Sequence, residues 1–275
     1  MSDLLFKLES IKGLIEIGSL IKDGPVSQIY ACSFKSDQGV VRIDKKLVQH
    51  LSLNRIKETQ LLQSIEAYDY APEILHSDPE NGLLITRLIE GQSLTQTSIR
   101  KPIHLEQLAQ AMHLIHHIEP KIEPIEFNHF IRNYEAELKD MQSSKLLDQG
   151  LSLYRELNQN KEDICLCHND LNHTNIIISD GIRILDWEYA SLNNPYFDLA
   201  TVIDFHDLSD SEVEMFLSHY DQGLNFIDTQ LLDCWQLMSQ YINMFWLMIL
   251  QKYDTISDKE KSWMNDLEKH LSLKK

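Results

Sequence analysis

The sequence predicts a mixed α/β (α+β) chain in two parts: an antiparallel-sheet front lobe over residues 1–90 and a mainly helical back lobe over residues 91–275. Three observations carry this. The first ninety residues alternate short apolar runs with turn residues; beyond Gly91 apolar residues recur at helical intervals; and one pair of β runs, around residues 175–185, interrupts the helices. With 275 residues and 43% hydrophobic content, the chain can bury a full core as one large domain or two lobes.

In the front lobe, strands are expected over 14–20, 28–34 and 39–43. Asp23-Gly24-Pro25 and Ser36-Asp37-Gln38-Gly39 supply turns between them, and an antiparallel meander is the simplest arrangement. "NRIKETQLLQSIEAY" follows with Ile56, Leu61, Leu62 and Ile65 near helical spacing, and "GLLITRLIEG" predicts a strand over 83–89. In the back lobe, Leu105, Leu108, Met112, Ile115 and Ile118 share one helical face, and 128–157 reads as one or two further helices. Runs at 175–178 and 182–185 form a hairpin through Ser179-Asp180-Gly181. After Asp198 helices resume, with Leu231, Trp235, Met238, Ile242, Phe245 and Ile249 in step. No internal repeat or Ser/Gly-rich linker is visible.

The net charge of −17, from 25 basic and 42 acidic residues, excludes the basic clusters that nucleic acid and anionic membrane require. It suits a soluble cytoplasmic protein and mildly favours a cationic ligand. Four cysteines build no secreted disulfide framework; Cys165 and Cys167 are too close for an ordinary bridge and are expected on alternating faces of a strand, reduced. "MSDLLFKLES" lacks the long apolar core of a signal peptide, and "MFWLMIL" at 244–250 is too short to span a bilayer. No membrane insertion and no protein partner are expected.

The chemistry concentrates in "CLCHNDLNHTNIIISDGIRILDWEY". Asp170 and Asn175 lie five apart on a loop, and Asp186 lies eleven further on, just after a strand. Each alone reads as a turn or cap former. As a set, H-x-D-x-x-x-x-N followed by a strand-end Asp supplies what phosphoryl transfer needs: a carboxylate to orient a hydroxyl and hard oxygen ligands for Mg²⁺. A zinc reading of Cys165, Cys167, His168 and His173 lacks a C-x₂₋₄-C pair and a matching half-site elsewhere in the sequence.

"HNDLNHTN" together with "ILDWEYASLNNPYFDLA" resembles the aminoglycoside phosphotransferase and choline kinase superfamily, within it the bacterial choline/ethanolamine kinases; thiamine kinases share much of the pattern. The resemblance implies a two-lobed protein-kinase-like fold and transfer of the ATP γ-phosphate, with Mg²⁺, to a hydroxyl on a small molecule. It implies Asp170 as catalytic base, Asn175 and Asp186 as Mg²⁺ ligands, Glu188 near the substrate or a second metal, and His168 and Asp198 as braces of the loop. In the front lobe it places the phosphate-covering loop at "IKDGPVSQIY", with Ser27 and Gln28 offering backbone N–H groups. Arg42 stands where protein kinases carry Lys and would pair with Glu58; Lys45 and Lys46 remain alternative cations. Ile89 and Glu90 fall where the family's hinge receives adenine.

For the acceptor, choline or ethanolamine comes first, thiamine second and an aminoglycoside third. Trp246 and Tyr189 are the candidate aromatic walls for a cationic amine, with Glu188 as the nearby negative charge; Trp246 fits core packing equally well. Family members often carry a second Trp where this chain has Met248, which points to a less aromatic box. A non-catalytic module that binds nucleotide or metabolite without turnover is the rival reading from another class.

Overall fold

The computed structural model describes residues 7–141, 144–159, 164–224 and 227–273; the first six residues of the N-terminal run read above lie outside them. The front of the chain forms five antiparallel strands, β1 (Ile15–Asp23), β2 (Ser27–Phe34), β3 (Asp37–Asp44), β4 (Ile74–Asp78) and β5 (Leu83–Arg87), in the order β1-β2-β3-β5-β4. The expected meander β1-β2-β3 is present; β4 is a strand the sequence pattern missed, and β5 ends two residues earlier than expected. Strand alternation does the sorting. Val41 and Ile43 of β3 enter a small core with Cys32, Phe34, Leu83 and Ile85, so Arg42 between them faces the opposite side of the sheet.

On that opposite side lies α1 (Arg55–Ile65), capped by Asn54, whose side chain accepts from the Lys57 amide at 3.0 Å. Its inward face differs from the expected apolar stripe. Leu61, Leu62 and Ile65 are buried, but Ile56 is 54% exposed, and Arg55 and Glu58 take inward positions at the N-terminal end. A charged inward face hides from an apolar-periodicity reading.

Gly91 marks the passage into the back of the chain. A Cβ there would lie 2.5 Å from the Ile178 carbonyl oxygen, so only glycine lets the backbone pass this close. The next two residues form β6 (Gln92–Ser93), which pairs with β8 (Ile176–Ile178), which pairs with β9 (Ile182–Ile184) as the expected hairpin. A second short pair joins β7 (Cys165–Cys167) to β10 (Ser191–Asn193). Contrary to expectation, Cys165 and Cys167 share a face, their Sγ atoms 3.7 Å apart, because residues i and i+2 of a strand point the same way. All four cysteines are free thiols.

Around these ribbons stand α2 (Pro102–His116), α3 (Asn128–Leu138), α4 (Ser144–Leu157), α5 (Pro195–His206), α6 (Asp210–Tyr220), α7 (Thr229–Tyr253) and α8 (Asp258–Leu273). The 25-residue α7 is the central post, packed by α3, α4, α5 and α8, with Trp235, Met238, Phe245 and Ile249 buried along it. No helix among the described residues is long and apolar enough to cross a membrane.

Candidate active site

The loop after β7 is hung from one carboxylate. Asp198, fully buried in the first turn of α5, accepts the His168 amide at 2.8 Å through Oδ2 and the Asn169 amide at 2.7 Å through Oδ1. Asn169 adopts a left-handed backbone (φ 64°), which reverses the chain, and its side chain donates to the Tyr189 carbonyl (2.9 Å) and the Ser191 hydroxyl (2.8 Å). The His168 ring is fully buried: Nδ1 accepts the Asp170 amide at 3.2 Å, so Nε2 carries the proton and donates to the Leu185 carbonyl at 2.9 Å. His168 and Asp198 therefore sit behind the loop and hold its shape.

Asp170 projects from the loop with both oxygens held. Oδ1 accepts Asn172 Nδ2 at 3.0 Å and Oδ2 accepts Asn175 Nδ2 at 2.9 Å. Burial, followed by the charge of Asp186, pushes its carboxyl up to about 7, against the opposing pull of the two amide donors. The Leu185 amide bonds the Asn175 carbonyl at 2.8 Å, which brings the start of β8 beside the end of β9 and so sets Asn175 near Asp186. Asp186 is itself left-handed (φ 63°), one of seven non-glycine residues with positive φ among the described residues.

Across the cleft lies a buried ionic cluster. Arg42 holds Glu58 with two parallel bonds of 2.6 Å, the pair expected from sequence. Arg55, which sequence reasoning missed, grips Asp44 through Nε (2.7 Å) and Nη2 (2.8 Å), and its Nη1 reaches Glu58 (3.0 Å) and Glu188 (2.9 Å). Arg42 Nη1 lies 3.6 Å from Asp186 Oδ1 and 3.9 Å from Glu188 Oε2. Burial pushes the Glu188 carboxyl up, as does Asp186, against the pull of the two guanidiniums. Two guanidiniums thus face four carboxylates, and the cluster is short of positive charge on the side where Asp186 opens to the cleft.

Two cavities meet at this point. One, of about 330 Å³, lies under the sheet and is lined by Arg42, Glu58, Ile89, Asn175, Asp186 and Lys22, among others. The other, of about 260 Å³, is lined by Asp170, Asp186, Glu188, Tyr189, Trp246 and, again, Lys22. Among the described residues, only Lys22 and Asp186 line both. The β1–β2 loop lines the second cavity with Gly24, Pro25 and Val26, and Ser27 at the start of β2 joins them. Gln28 and Glu90 line neither. Gln28 lies between Ser27 and Ile29, which do face the cavities, so strand alternation turns its side chain away, and its Oε1 accepts the Tyr30 hydroxyl at 3.2 Å. Glu90 is exposed between Ile89 and Gly91. Lys45 pairs with Asp23 at 2.6 Å, and neither it nor Lys46 lines either of these two cavities.

Trp246 lines the second cavity from α7 while its body packs on the core. Met248, in contrast, is buried in the core two positions on, so it says nothing about the wall. Trp263 of α8 and Tyr134 of α3 complete an aromatic lining that sequence reasoning did not find, because helices distant in the chain supply it. The Tyr189 hydroxyl is buried beside the Trp246 side chain.

The ionic cluster makes a prediction about acid. Glu58 is held down to about 2, against a usual 4.5, because the Arg42 and Arg55 charges outweigh the cost of burial. Its stabilising contribution is therefore complete above pH 4.5 and lost as pH falls toward 2. Urea midpoints of the wild type should drop through that window, and Glu58→Gln should flatten the drop while lowering stability at pH 7 by about 3–5 kcal/mol.

Residues 19–207 match the family model for choline/ethanolamine kinase. The LicA protein of Haemophilus influenzae is 28% identical over 157 residues, covering 54% of this chain and 46% of that protein. Human ethanolamine kinase 2 is 30% identical over 199 residues, covering 65% and 50%. The chain thus spans about half the length of these curated relatives. In fold it resembles the crystal structure of choline kinase LicA from Streptococcus pneumoniae, with a TM-score of 0.79 at 22% identity over 99% of this chain and 98% of that one. A LicA structure in complex with AMP gives 0.78 at 23% identity over the same shares. With the family model matching more than half its residues, the chain belongs to the choline/ethanolamine kinase family.

Proposed function

We propose that this chain transfers the γ-phosphate of ATP, with Mg²⁺, to the hydroxyl of a small cationic amino alcohol, choline or ethanolamine before others. The observation that carries the reading is the meeting of two cavities at Asp186 and Lys22, with Asp170 on the aromatic side and Arg42 on the side under the sheet. ATP would occupy the cavity under the sheet, its adenine near Ile89 and its phosphates between Arg42 and Lys22. The acceptor would occupy the aromatic cavity, its hydroxyl at Asp170. Residues 1–90 then supply most of the nucleotide contacts, and residues 91–275 most of the acceptor contacts. We place the reaction in the cytoplasm.

The residues present suit Mg²⁺. Asn175 spends its amide nitrogen on Asp170, at 3.0 Å to the carbonyl and 2.9 Å to the carboxylate, so its hard oxygen is outside these bonds and available to an ion. Asp186 supplies a carboxylate, and the excess of buried acid over guanidinium favours a divalent cation there. When bound, Mg²⁺ neutralises charge on the β- and γ-phosphate oxygens. The chain's own part is positioning. Asp170, with a proton affinity raised toward neutrality, accepts a hydrogen bond from the acceptor hydroxyl and takes its proton as the phosphoryl group moves. Lys22 brings a cation to the junction of the two cavities. Val26 and Pro25 close the acceptor side from above.

For the acceptor, Tyr134, Tyr189, Trp246 and Trp263 offer ring faces beside the carboxylate of Glu188, which suits an ammonium group. At about 260 Å³ the cavity falls just below the ~300–1,000 Å³ usual for drug-sized ligands, which favours an amino alcohol over a multi-ring aminoglycoside. The presence of Asp170, Asn175 and Asp186 together at the junction speaks against a module that binds without turnover.

The direct experiment is ADP release with ATP, Mg²⁺ and a panel of choline, ethanolamine, thiamine and an aminoglycoside. Turnover with choline or ethanolamine is expected; nucleotide binding with no turnover on any acceptor would favour the non-catalytic module. Asp170→Asn should lower kcat by about 10²–10⁴-fold with ATP affinity nearly unchanged, since it removes the base and not the nucleotide site. Trp246→Ala should raise KM for choline by about 2- to 30-fold, the equivalent of about 0.5–2 kcal/mol of cation–π attraction, with a smaller change in kcat.

A further inference from the structure

Behind the Asp170 loop, away from both cavities, three ligand-type side chains converge. His116 ends α2, while Cys165 and Cys167 stand on one face of β7, and their ligand atoms lie within 4.8 Å of one another. They form the one such group of three His, Cys, Asp or Glu residues among the described residues. The histidines nearest in sequence take no part: His168 spends both ring nitrogens on the Asp170 amide and the Leu185 carbonyl. Tertiary structure brings in His116, some fifty residues upstream, as the half-site that the local sequence lacks.

We propose that His116, Cys165 and Cys167 bind one zinc-class metal ion, borderline-soft and tetrahedral, with water as the fourth ligand. The thiol spacing fits. Two thiolates at about 2.3 Å from a tetrahedral zinc stand about 3.8 Å apart, and the two Sγ atoms are 3.7 Å apart as they stand. A direct disulfide fits poorly: two residues of strand span about 6.6 Å, at the outer edge of the about 4.4–6.8 Å that a bridge tolerates between Cα atoms. The imidazole is prepared in the manner of metal ligands. Its Nε2 faces the Asp198 carboxylate at 3.1 Å, which can only accept, so the proton sits there; Nδ1 faces the Tyr220 hydroxyl at 2.7 Å. An ion at this site replaces the Tyr220 contact of Nδ1 and the bond that the Cys167 thiol donates to the Asn193 carbonyl at 3.5 Å, and leaves a carboxylate–histidine–metal arrangement, in which the carboxylate orients the ring and raises its basicity. Cys165 is half-buried and gives the ion a route in, while Cys167 is fully buried. Each thiol gives up its proton to solvent as its metal–sulfur bond forms. Asp198 also suspends the His168 and Asn169 amides, so the ion would sit one side chain away from the loop that carries Asp170.

The test uses the reduced full chain and reads binding without turnover, so its outcome is separate from that of the phosphotransfer reading. Co²⁺ should bind one equivalent with a thiolate-to-cobalt charge-transfer band, and Zn²⁺ should displace it. Cys165→Ser and Cys167→Ser should each remove the band and weaken Zn²⁺ by more than the about 10–100-fold that loss of an outer partner costs. Cys32→Ser and Cys234→Ser should leave both unchanged. Tyr220→Phe, which frees Nδ1 from its competitor, should tighten binding, an effect a merely structural hydroxyl would not have. Absence of the band in folded wild type, or its survival in both Cys165→Ser and Cys167→Ser, overturns the proposal. So does formation of a Cys165–Cys167 disulfide in air in place of metal uptake.

Discussion

Everything at this site depends on burying charge in balance. Arg42, Arg55, Asp44 and Glu58 are each nine-tenths or more buried, with Glu188 beside them and Asp186 at the edge. Removing such groups from water costs several kcal/mol per ion, and only close, multiply bonded geometry offsets it. The bidentate Arg42–Glu58 pair and the forked grip of Arg55 on Asp44 meet that requirement. They also fix the placement of β3 and α1 relative to the turn carrying Glu188, which lies 133 residues beyond Arg55. A cluster that is costly when mis-set gives the cleft one geometry, as the proposed phosphate site would require.

A second buried carboxylate does the same for the other wall. Asp198 holds two successive amides of the 168–170 loop, the His168 ring braces the third, and the amides of Asn172 and Asn175 orient Asp170. The left-handed turn at Asn169 and the one at Asp186 are both taken by residue types that tolerate φ above zero. Strain in the backbone and restraint on the side chain thus coincide where two cavities join. The same Asp198 faces His116 on its far side, so the back of the loop and the thiol pair of β7 form one continuous polar layer.

How much of this was legible beforehand varies with the range of the interaction. Local pattern delivered the meander, the β8–β9 hairpin, the helical spacing of α2 and α7, and the run from His168 to Asp186. It failed where burial was polar or remote. Arg55 sits on an inward helix face that carries charge, so no apolar stripe announced it; Ile56 beside it looked like core and faces solvent. Gln28 and Glu90 keep their side chains out of both cavities, although their chain neighbours line them. Lys22 and Trp263 reach the cleft from the end of β1 and from the second turn of α8, and neither carries a motif.

The sequence alone determined the two-part architecture and the Asp170–Asn175–Asp186 set, because both are written in short-range periodicity and in spacing along one loop. Only the tertiary structure decided that Arg55 shares Glu58 with Arg42, that Trp246 lines a cavity while Met248 fills the core, and that His116 stands over Cys165 and Cys167. The reason is physical. Spacing along a strand or helix sets which way a side chain points, but what it points at depends on segments that meet only when the core closes.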